Sequence, residues 1–205
     1  MCNLYRMSKS QTEVADFFRD IVPELTLPPT GNAPEEIYPG YPGLVLTSSE
    51  IRQMVWGFPL SLKGAKGQPL KPRPVNNART DKLSGAFWAD SFRQRRCLIP
   101  VSAWAEAEGP KGAMTRTWLQ VPGEPLFAVA GVWRNSAEWG AAYSMVMTEA
   151  CVEMGAVHNR MPVLLAQADW SRWLTAPPQD ALSLCCPWTG ELVIARTDQP
   201  WADRR

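Results

Sequence analysis

Apolar residues fall in short runs closed by Gly or Pro, the pattern of short strands joined by turns rather than of a helical bundle. Strands are expected at Leu44–Thr47, Met54–Phe58, Cys97–Pro100, Trp118–Val121, Leu126–Trp133, Tyr143–Thr148, Val163–Leu165 and Leu192–Ala195. Helical spacing appears in three places. Ser10–Asp20 places Val14, Phe17 and Phe18 on one face, with Pro23 ending it; Gly85–Arg95 is a second helix, and Gln167–Leu174 carries Trp170 and Trp173. Leu25–Gly43 reads as a Pro/Gly-rich loop, and Ser61–Pro74 as an exposed loop with Lys63, Lys66, Lys71 and Arg73. From Ala176 onward the chain is Pro-rich. No repeat or low-complexity tract occurs. The expected architecture is α+β, with mostly antiparallel sheets forming an open barrel-like core flanked by a few helices.

Composition narrows this further. The 205 residues fit one compact domain, with or without a loose tail. Lys plus Arg number 21 against 20 Asp plus Glu, a net charge of +1, which excludes a partner chosen by bulk charge but leaves room for a local basic patch. Hydrophobic residues are 45% and charged residues 20%, so wholesale disorder is excluded. No apolar run reaches membrane-span length and no signal peptide is expected, so the reading is a soluble, intracellular protein without membrane contact. The 10 Trp are spread along the chain, as core or lining residues would be. Five cysteines, odd in number and without C-x-x-C spacing, beside a single histidine argue against a disulfide framework and against a metal site.

Cys2 is the most informative position for chemistry. If Met1 is removed, Cys2 carries a thiol and an α-amine on adjacent carbons, and an α-amine ionises near neutrality, at about 7.7–8.0. A neutral amine condenses with an aldehyde, and the neighbouring thiol then closes a five-membered ring. The competing reading is a small residue in a frayed terminus. His158 is suited to proton transfer, or is a hydrogen-bonded structural histidine. Glu106, after the Cys97–Pro100 strand and beside Trp104, is either a carboxyl of raised pKa or a solvated turn residue near Glu108 and Lys111. Asn76, Asn77 and Arg79 offer an orienting amide and a phosphate grip, or an ordinary turn. Arg93, Arg95 and Arg96, with the basic loop, are either a nucleic-acid footprint or a solvated face.

Taken in order, these segments resemble one family. Met1–Cys2, Asn77–Ala78–Arg79, Arg95–Arg96–Cys97–Leu98–Ile99–Pro100 with Glu106 six residues on, Ala130–Gly131–Val132–Trp133 and His158–Asn159–Arg160–Met161–Pro162 are similar to the motifs of SRAP-domain proteins, the SOS-response-associated, abasic-site-processing family. The similarity runs over residues 1–196, leaving 197–205 as a tail. It implies covalent trapping of abasic sites in single-stranded DNA through a Cys2 thiazolidine. Asn77 would orient the linkage, Glu106 would shuttle protons, and His158 would assist sugar opening and reversal. Arg79, Arg93, Arg95 and Arg160 would contact DNA. The resemblance implies no cofactor and no metal, a cytoplasmic, nucleoid-associated monomer, and a lyase branch from the imine. A cysteine peptidase acting on its own N-terminus and a non-covalent single-strand binder are the alternatives. The usual family start, Cys-Gly-Arg, is here Cys2–Asn3–Leu4, with Arg6 or the basic loop as stand-ins for the missing arginine.

Overall fold

The computed structural model describes residues 2–22 and 34–201. Its N-terminal part runs β1 (Leu4–Arg6), α1 (Gln11–Phe18), β2 (Glu36–Ile37), β3 (Pro42–Leu46), β4 (Ile51–Trp56), β5 (Phe58–Leu60), β6 (Arg73–Val75) and β7 (Asn77–Arg79). There follow α2 (Ala89–Gln94), β8 (Arg96–Val101), β9 (Ala103–Glu108), β10 (Thr115–Gln120), β11 (Phe127–Ser136) and β12 (Gly140–Glu149). The chain then continues through β13 (Arg160–Pro162), β14 (Leu164–Leu165), α3 (Trp170–Thr175), α4 (Pro178–Leu182) and β15 (Val193–Pro200). The α+β class with mostly antiparallel strands holds.

One antiparallel sheet has the order β15-β10-β9-β1-β2. β5 and β6 form a separate two-stranded ribbon, and in the eight-stranded sheet β12, β4, β3, β8 and β11 pair in sequence and β11 pairs back to β12, so the expected open barrel is a closed five-stranded ring. The ten-residue β12 makes closure possible because different stretches of it serve different partners. On one edge it pairs with β11 and then β13; on the other it pairs in parallel with β4 through Tyr143 and Trp56, then with β7 through Met145 and Asn77. Closure removes free edges from the ring.

Local chemistry accounts for the element boundaries. Ser10 Oγ accepts the Glu13 N–H and the Glu13 carboxylate accepts the Ser10 N–H, a capping box that starts α1, which buries Val14 and Phe18. The single strand expected over Met54–Phe58 breaks into β4 and β5 at Gly57, whose φ of +113° suits glycine alone and whose missing side chain leaves room for Pro74. Pro23 and the part of the expected Leu25–Gly43 loop up to residue 33 lie outside the described residues; β2 and the start of β3 occupy the rest.

None of the ten Trp is exposed: Trp56, Trp88, Trp104, Trp118, Trp170 and Trp173 are buried and the other four half-buried. Arg96 opens β8 as a structural residue rather than a phosphate contact. Its guanidinium is buried and donates to the main-chain carbonyls of Phe92, Trp173 and Ala176, joining α2 to α3. The C-terminal strand β15 runs to Pro200, antiparallel to β10, so the expected boundary at 196 falls inside a strand. No helix of the described residues is long and apolar enough to cross a membrane.

Candidate functional site

Two stretches of chain whose strand character the sequence does not show bring the site together. β1 pairs antiparallel with β9, Leu4 opposite Ala105 and Tyr5 opposite Trp104. This pairing ties down what the sequence left open to fraying, and Cys2 is fully buried. The same pairing puts Glu106 in a strand, 2% exposed, rather than in a solvated turn.

The third component arrives from the other sheet. Strand β7 lies along the edge of β12, and the Asn76 carbonyl just before it accepts from Trp56 Nε1 and from the Met145 N–H. Asn76 and Asn77 then both reach the N-terminus. Each donates from Nδ2 to the Cys2 carbonyl at 2.8 Å, and Asn76 also reaches the Asn3 side-chain oxygen at 3.1 Å. The Cys2 backbone is therefore gripped from two sides. Asn77 Oδ1 is buried with no hydrogen-bond partner among the described residues. A buried acceptor left unmatched costs about 1–3 kcal/mol, so it marks a place where a ligand donor fits. The family resemblance singles out Asn77 for the orienting role; the structure adds that Asn76, its neighbour in the doubled asparagine, holds the same Cys2 carbonyl.

Burial sets the protonation states. It pushes the Cys2 thiol well above its ordinary value, and the Glu106 carboxylate adds to the rise, an interaction that places the two groups within electrostatic reach. Burial raises Glu106 itself to about 7, where a carboxyl gives and takes protons at neutral pH. Desolvation holds His158 below the usual imidazole value. His158 Nδ1 accepts the Arg160 N–H at 2.9 Å, which puts the ring proton of the neutral form on Nε2. The imidazole thus presents a donor and its neighbour Arg160 a cation.

A family model described as SOS response associated peptidase (SRAP) matches residues 1–199. The chain belongs to the SRAP family. Solved structures show the same fold. A Bordetella bronchiseptica protein aligns with a TM-score of 0.78 at 21% identity, covering 96% of this chain and 99% of its own. A Bacteroides thetaiotaomicron protein gives 0.73 at 18%, covering 95% and 91%, and a phage-related protein of B. bronchiseptica gives 0.69 at 19%, covering 97% and 95%. No curated protein matches the chain.

The expected DNA contacts of this SRAP protein divide. Arg79 leaves β7 two residues after Asn77 and forms a two-pronged pair with Asp81, while Arg160 lies 3.8 Å from the same carboxylate, so these two belong to one cluster beside the site. Arg95 is turned elsewhere: it pairs with Asp90 and donates to the Trp133 carbonyl. Arg93 borders a cavity of about 260 Å³ between α2 and α4, which Thr80 also lines. Leu4, at the usual family arginine, is buried against Ala103, Ala105 and Trp118. Arg6, two residues on along β1, stacks over the same Trp118 and pairs with Glu36. Among the described residues no group of three or more His, Cys, Asp or Glu is placed to hold a metal ion.

Proposed function

We propose that this SRAP protein captures abasic sites in single-stranded DNA as a covalent thiazolidine on Cys2. The observation that carries the reading is the doubly held Cys2 carbonyl beside the unmatched Asn77 Oδ1 and the buried Glu106. With Met1 removed, the α-amine of Cys2 adds to the C1 aldehyde of the ring-opened sugar. Glu106, half protonated near neutrality, gives a proton to the departing hydroxyl, so one water leaves and an imine forms. The Cys2 sulfur then adds to the imine carbon, its proton passing to the nitrogen, and the ring closes. Asn77 Oδ1 accepts from the nitrogen or a sugar hydroxyl. The His158 Nε2–H serves the ring oxygen during sugar opening, and Arg79 with Arg160 faces the adjoining phosphate.

This order of events suits the thiol. A group held neutral by burial is a poor thiolate, which disfavours a peptidase that begins with sulfur attack and favours amine-first chemistry. The test is incubation of the processed protein with a single-stranded oligonucleotide bearing one abasic site, read by intact mass and denaturing gel. The expected product weighs protein plus DNA minus one water, survives heat, and is absent from Cys2→Ala without borohydride. A heat-stable adduct that persists in Cys2→Ala would overturn the mechanism.

A further inference from the structure

We infer that Asp81 is a specificity-determining residue whose carboxylate occupies the seat that Arg79 and Arg160 offer to a DNA phosphate, weakening the hold on strands that carry no aldehyde. The inference rests on the function proposed above. Arg79 Nε and Nη2 donate to the two Asp81 oxygens at 2.9 and 2.7 Å, the fork-to-fork geometry by which guanidinium also grips phosphate. Arg160 Nη1 stands 3.8 Å from Asp81 Oδ1, so a single carboxylate is shared between two guanidinium groups. Both arginines hang from the site itself: Arg79 is two residues from Asn77 on β7, and Arg160 two residues from His158 at the start of β13. An anion seated there would therefore adjoin the captured sugar.

Asp81 is built to be displaced. It lies on a one-turn 3-10 segment, Thr80–Lys82, and its side chain is 45% exposed, so the carboxylate rotates into water without disturbing a strand. Exposed ion pairs are weak and exchange readily with other anions. While Asp81 is seated it neutralises part of the local positive charge, and a passing phosphate must compete with it. A strand carrying an abasic aldehyde gains a covalent bond at Cys2 in addition; an intact strand gains only the phosphate contact. The carboxylate thus shifts retention from charge to chemistry.

The experiment measures fluorescence anisotropy of an undamaged single-stranded 20-mer with wild-type protein, Asp81→Asn and Asp81→Ala over a salt series, alongside adduct formation by the wild type. Both variants should bind the intact strand about threefold to tenfold more tightly at low salt, and the log–log salt dependence should steepen by roughly 0.7 for one phosphate freed to bind. A purely structural role for Asp81 would not steepen that slope. Equal or weaker binding by both variants, with the wild-type adduct intact, would overturn the inference and show Asp81 to be only a support for Arg79. Absence of the wild-type adduct would overturn the proposed function instead.

Discussion

Replacing Glu106 by Gln should make the protein more stable at neutral pH while slowing its chemistry. The carboxyl titrates near 4.5 when exposed and at about 7 in the fold, because burial disfavours its charged form. The unfolded chain therefore releases this proton at lower pH than the native state does, and the native state loses stability as pH rises from 4.5 through 7. Displacement of that size corresponds to about 3 kcal/mol at pH 8 relative to pH 4.5. The substituted amide is neutral throughout, so the stability gap between variant and wild type should widen across this window and flatten above it. Urea unfolding in steps of pH reads the gap directly. With a slope near 2 kcal/mol/M, the variant's midpoint should gain roughly 1.5 M relative to wild type between pH 4.5 and 8. Loss of the proton donor should slow adduct formation by about 10²-fold. A gap that does not change with pH would refute the account, since it would mean that Glu106 ionises in the fold as it does in water.

Three other outcomes are expected. Arg96→Met should destabilise the fold by about 2–4 kcal/mol in urea unfolding, because three main-chain carbonyls of the α2 and α3 segments lose a buried cation; an effect below about 1 kcal/mol would refute that structural role. Gly43→Ala should lower stability by about 1–3 kcal/mol, measured as a fall in Tm, since a Cβ there meets the hydrogen-bonded hydroxyls of Tyr5 and Tyr143 between two fully buried rings. His158, the only histidine, gives a single imidazole signal by NMR whose midpoint should lie below 6.5, so stability contributed by its neutral form is present above that value and declines as pH falls through it; a midpoint above 6.5 would contradict the burial argument.

Much of this molecule is legible in its sequence because its strands carry their own signals. The runs at Cys97–Pro100, Leu126–Trp133 and Tyr143–Thr148 are apolar over most of their length, and each lies in a ring strand with both faces buried. Ser10 and Glu13 start α1 through a local pair that needs no tertiary partner. The motifs around Cys2, Asn77, Glu106 and His158 likewise name the residues on which the proposed chemistry rests. What the sequence could not show was set by long-range pairing. Leu4–Arg6 is too short to signal a strand and becomes one only by lying against β9, which also turns Glu106 from a plausible surface acid into a buried one. Arg79, Arg95 and Arg96 look alike as cations near one motif. Tertiary contacts alone separate an arginine shared with Asp81 beside the site, an arginine tied to Asp90 and a buried clamp on carbonyls. Local sequence fixes which backbone conformations are cheap, whereas desolvation and the choice of hydrogen-bond partner depend on neighbours some 75 to 138 residues away along the chain, such as Asn77 on Cys2 and Tyr143 on Tyr5.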